Sequence, residues 1–155
     1  MLGKPEAGMS AIKIGTQYIG AASCINDVPM ETLDAFLRYY QGAPFQVTYY
    51  AEGTYDAEGY HFGIITFDET VYIVNDKDKI EHIHTQIVKP ENNNFGGYAF
   101  VEKVIPQLAK ECVNDIRKYI DGWVDWGFAS NEKSERKQER RRLLLEKANL
   151  LEDFL

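Results

Sequence analysis

The stretch YHFGIITF-DE-TVYIVN, residues 60–75, places two runs of β-branched and aromatic side chains on either side of an Asp-Glu pair. Two such runs separated by two polar residues are the signature of a tight β-hairpin. The pattern extends in both directions. Upstream, Phe45–Glu52 is another aromatic, β-branched run, and Gly53–Gly59 is rich in turn formers. Downstream, Asn75-Asp76-Lys77-Asp78 reads as a turn and Lys79–Lys89 as a further strand, with Ile83, Thr85 and Ile87 on one face and His82, His84 and Gln86 on the other. Consecutive strands with short connections pair as an antiparallel meander.

Helices flank this block. Asn26-Asp27-Val28-Pro29 carries capping residues and a first-turn proline, and Leu33, Phe36, Leu37 and Tyr40 then recur at helical spacing until Gly42 and Pro44 stop the chain. After an Asn- and Gly-rich loop at 90–97, Tyr98–Trp126 carries a helical stripe of Val101, Ile105, Leu108, Cys112, Ile116 and Trp123, with Pro106 either kinking it or lying in its first turn. Ser130–Leu155 has no Gly or Pro and reads as one amphipathic helix, charged first and leucine-rich last. At the other end, Ala11–Ile14 alternates weakly and, with Tyr18 and Ile19, suggests a first strand or an irregular extended segment, with Gly15 and Gly20 weakening it. The expected class is therefore α+β: an antiparallel sheet of four to five strands, one short N-terminal helix and two long C-terminal helices. Residues 1–10 are expected to form a flexible tail, 11–129 the α+β domain, and 130–155 a helix belonging to that domain or serving as an oligomerisation arm.

Composition bounds the function classes. The chain of 155 residues carries a net charge of −7. Residues 1–129 hold 10 basic against 18 acidic side chains, whereas 130–155 hold 7 against 6. An acidic body repels nucleic acid and membrane headgroups and favours basic protein surfaces. The basic stripe Lys133, Arg136, Lys137, Arg140 and Arg141 is interleaved with Glu132, Glu135 and Glu139, which also counts against nucleic acid. No apolar run approaches membrane-spanning length and no secretory signal opens the chain, so the expected compartment is the cytoplasm. Cys24 and Cys112 sit among apolar residues and are expected as buried free thiols. Asp121 and Asp125, four apart on a helix, read as a solvated face, and Ser23-Cys24 lacks any nucleophile motif.

The aromatic content, ten Tyr, eight Phe and two Trp, is the clearest excess. Exposed on an acidic domain, such side chains anchor protein contacts while charge aids encounter. The first expectation is accordingly a non-catalytic binding protein of inhibitor, antagonist or immunity type, which uses Tyr49, Tyr50, Tyr55, Tyr60, Tyr72 and Trp126 against a basic protein partner and needs no cofactor. A second reading is a zinc site, structural or hydrolytic, built from His61, His82 and His84, since a His-x-His pair on a strand points both rings to one side. A third is assembly through residues 143–155. There Leu144, Ala148, Leu151 and Leu155 step by four, three and four, and Leu143, Leu150 and Phe154 widen the face. Burying such side chains is worth ~1.5–3 kcal/mol each. They must be covered, either by the domain itself or by a second copy in a homodimer.

Overall fold

The computed structural model describes residues 1–15, 17–67, 70–75, 101–127 and 134–155. In chain order the elements are β1 (Met9–Ile14), β2 (Gln17–Ser23), α1 (Val28–Tyr40), β3 (Gln46–Ala51), β4 (Tyr60–Phe67), β5 (Thr70–Asn75), α2 (Val101–Lys118), α3 (Ile120–Asp125) and α4 (Ser134–Glu152). The α+β class holds, with an antiparallel meander at its centre. The single sheet of four to five strands does not. Among the described residues there are two small antiparallel sheets, β1-β2 and β3-β4-β5. The expected strand at Lys79–Lys89 and loop at 90–97 lie outside the described residues.

The two sheets are separate because β1 and β2 fold back on each other. Their register runs from Met9↔Ser23 to Ile14↔Gln17 and shifts between Ile12 and Lys13. Gly15 turns the chain with φ +58. Gly20 presents no side chain, and a Cβ there would meet the ring of Phe62. A residue that weakens an isolated strand thus allows close packing of the hairpin on the second sheet. The expected flexible tail at 1–10 is also corrected. Leu2 is buried and bridges Ile12, Gly3 N donates to Ala11 O, and Met9 and Ser10 already belong to β1. The apolar pair Leu2 and Ile12 gains more from burial than a free tail gains in disorder.

α1 follows the sequence signals closely. Pro29 lies in the first turn and Gly42, at φ +102, takes the chain out of the helix. Val28, Thr32, Leu33, Ala35 and Phe36 face the core. Asp27 occupies the N-cap position, yet its side chain makes no cap hydrogen bond. β3 buries Val47, Tyr49 and Ala51 against this helix. The Tyr49 hydroxyl lies 2.7 Å from Thr32 Oγ1, which itself donates to Val28 O. Full burial drives the Tyr49 phenol well above its ordinary pKa, so it stays neutral.

The long helix expected over Tyr98–Trp126 is interrupted. α2 continues through Pro106 and ends at Lys118; Tyr119 then breaks the helical path and α3 begins. Val104, Ile105, Leu108, Cys112 and Ile116 line the buried side of α2. Cys112 is fully buried, which pushes its thiol pKa far up; Cys24 is half-buried and both are free.

α4 packs on α1, α2 and α3. Leu144, Ala148 and Leu151 have no exposed surface, so the C-terminal stripe is covered mainly by its own domain. Extending that stripe back by four residues reaches Arg140, which is 9% exposed. Its guanidinium donates two 2.8 Å hydrogen bonds to the Asp27 carboxylate and Nε donates to Trp123 O at 3.0 Å. This is why Asp27 does not cap α1. Around the rim, Lys147 pairs with Asp34, Arg141 with Asp121, and Arg117 bridges Asn149 and Glu152. Of the basic stripe expected at the start of this helix, Lys137, Arg140 and Arg141 pair within the domain, with Asp125, Asp27 and Asp121; Lys133 lies outside the described residues.

Candidate protein-binding surface

β3 and β4 run out of the core in register, from Gln46↔Ile65 to Ala51↔Tyr60, and the connection 52–59 projects beyond them. It is a shaped turn. Thr54 and Ala57 bridge, with Ala57 N donating to Thr54 O at 3.2 Å. Gly53 is required by close approach, since a Cβ there would lie 2.5 Å from Ala57 O and 2.7 Å from Gly59 N. The Tyr50 ring packs over Gly59 and sits 5.2 Å from the His61 ring. Tyr50 N donates to Asn26 Oδ1 at 2.6 Å, and the Ser23 hydroxyl donates to Glu52 at 2.6 Å. The base of the turn is thus tied to the β2–α1 connection.

At its tip the Tyr55 side chain is fully exposed, and Tyr60 is 42% exposed. Glu52, Asp56 and Glu58 are the charged residues of the connection, all acidic, and all exposed. A rigid aromatic with two rotatable bonds, set among like charges on a preformed turn, loses little conformational entropy when a partner covers it.

The remaining expected contact residues divide sharply. Tyr50 is half-buried beside this turn. Tyr49 and Tyr72 are buried, and Trp126 is 6% exposed with its indole N–H donating to Asn26 O at 2.8 Å. These three cannot anchor a partner as placed. Strand parity explains Tyr49, which points inward with Val47 and Ala51, while Tyr72 belongs to a second small cluster with Ile65 and Val74. Of the expected assembly residues, Leu144, Ala148 and Leu151 are interior, whereas Phe154 and Leu155 are 48% and 39% exposed. The Phe154 ring stacks on Tyr40 at 5.2 Å. His61 is exposed on β4. His82 and His84 lie outside the described residues, and among the described residues no three metal-ligating side chains converge.

A second feature gave no sequence signal. A cleft of about 640 Å³ opens between α1 and β3, with Asn26, Glu31, Arg38, Pro44, Gln46 and Thr48 on its walls. Partial burial, then the nearby Asp27 charge, raises the Glu31 pKa. A carboxyl raised in the folded state stabilises the fold only while protonated. Its contribution is full below the unfolded pKa of about 4.3 and is lost as pH rises through the higher folded value. Glu31→Gln should therefore be slightly more stable than wild type at neutral pH, and the gap should close in acid. Urea midpoints across pH check this; a gap that widens in acid would refute it.

Among the described residues no helix is long and apolar enough to cross a membrane. No protein-family model matches the chain, and neither the curated proteins nor the solved structures give a significant match.

Proposed function

We propose that this chain is a non-catalytic binding protein of inhibitor or antagonist type, which acts by docking the acidic β3–β4 turn into a basic site on another protein. One observation carries the reading: Tyr55 stands fully exposed at the tip of a glycine-shaped turn whose charged residues are all acidic. An isolated exposed Tyr is unremarkable. Here the fold invests two close-approach glycines and anchors to Asn26 and Ser23 in holding a turn whose tip makes no core contact. Tyr55 would supply the anchor, and Glu52, Asp56 and Glu58 would steer encounter and select a basic partner.

The test is affinity capture from a source lysate with two baits, wild type and Tyr55→Ala, read by mass spectrometry. A hot-spot tyrosine is worth about 2 kcal/mol or more, roughly thirty-fold in affinity. The expected outcome is a basic protein retained by the wild-type bait and lost from the variant, with thermal stability unchanged. Equal capture by both baits would refute the assignment.

A further inference from the structure

β3 is an edge strand: β4 pairs with one side, and among the described residues no strand pairs with the other. Thr66 N donates to Phe45 O at 2.9 Å. By the alternation of an antiparallel ladder, residues 45, 47, 49 and 51 then turn their backbone groups toward β4, and 46, 48 and 50 turn theirs outward. Tyr50 fits this, since its N–H leaves the sheet to reach Asn26. The outward N–H and C=O groups of Gln46 and Thr48 find no such substitute among the described residues. They open onto the 640 Å³ cleft whose opposite wall is the flank of α1.

We infer that this cleft takes an extended peptide segment of a partner protein, added as a further strand to the free edge of β3. An edge strand beside a helix flank supplies main-chain hydrogen bonds from one wall and side-chain selection from the other. The charges state what would be selected. α1 runs antiparallel to β3 through the connection at 41–45, so Arg38 lies toward Gln46 and Glu31 toward Thr48 and Asn26. Arg38 is exposed and makes no ion pair among the described residues. Seven residues along a helix are about 10.5 Å, and a strand advances about 3.3 Å per residue. The fitting peptide carries an acidic residue near Gln46 and a basic one two to four positions away, near Thr48. The peptide belongs to a partner only if the chain is a binding protein, so this inference rests on that reading, but it uses a different surface from the Tyr55 turn.

The test is a nuclear magnetic resonance titration of the full ¹⁵N-labelled chain. The probe is a short capped peptide of alternating Thr and Val bearing one Lys and one Glu, and its control is the same peptide N-methylated on the edge facing β3. Expected are amide shifts centred on Gln46 and Thr48, and affinity falling about tenfold or more with the methylated control. Thr48→Pro should do the same, because an edge strand tolerates proline where its N–H faces outward. If that variant misfolds, Arg38→Glu serves instead: it should weaken the probe and favour one with the acidic residue changed to Lys. Tyr55→Ala should leave the titration unchanged, so failure here and failure at the turn are separable. Four results would overturn the inference. These are shifts elsewhere or none, equal binding of the methylated peptide, slow exchange at Gln46 and Thr48 in the free protein (the chain then covers its own edge), and concentration-dependent self-association through this edge.

Discussion

Asp27→Ala should destabilise the fold by about 1.5–3 kcal/mol, the range for losing hydrogen bonds to a charged group. The mutated side chain is itself 43% exposed, but it leaves behind the Arg140 guanidinium, whose side chain is 9% exposed. The reciprocal change is milder in kind. Arg140→Met strands only a carboxylate that water already reaches and fills the site with a side chain of similar reach, so it should cost less than Asp27→Ala. Urea denaturation of the two variants measures the order. Capping does not confound it, since the Asp27 side chain caps nothing. If Asp27→Ala lost under about 1 kcal/mol, the pair would be ornamental.

Leu151→Ala should cost about 2–5 kcal/mol, the range for a large-to-small change that leaves a cavity. Its neighbour Leu150 is 50% exposed, and Leu150→Ala should fall within about 0.5 kcal/mol of wild type. The contrast between adjacent leucines tests the rotation of α4 about its axis. Equal losses at both positions would mean that the outward face is also covered in solution, as assembly through 143–155 would require.

The parts of the fold that could be read from the sequence are those where one period and one stop signal agree. α1 has helical spacing, a first-turn proline and a terminal glycine; β4 and β5 have alternating aromatic and β-branched residues. β2 is obscured in the sequence because Gly20, Ala21 and Ala22 carry little strand preference; at Gly20 the Phe62 ring leaves no room for a Cβ. The break at Tyr119 has no glycine or proline to announce it. Site residues were legible only so far as parity was applied. Tyr49 shares its face with Val47 and Ala51 and had to be interior, while Tyr55 lies in a turn and had to be outside. Arg140 falls on the leucine stripe, so its burial could have been inferred, but its partner Asp27 is 113 residues away and no local pattern links them. The Glu31–Arg38 cleft depends on how α1 docks beside β3, which periodicity within either element does not specify.

The most direct measurement is the dissociation constant of the captured partner for wild type and for Tyr55→Ala, each at low and at high salt. The expected result is a loss of about thirty-fold on removing the ring and a clear weakening of the wild-type complex as salt screens the acidic turn. Affinities within about twofold of each other, and indifferent to salt, would contradict a binding function seated at this turn.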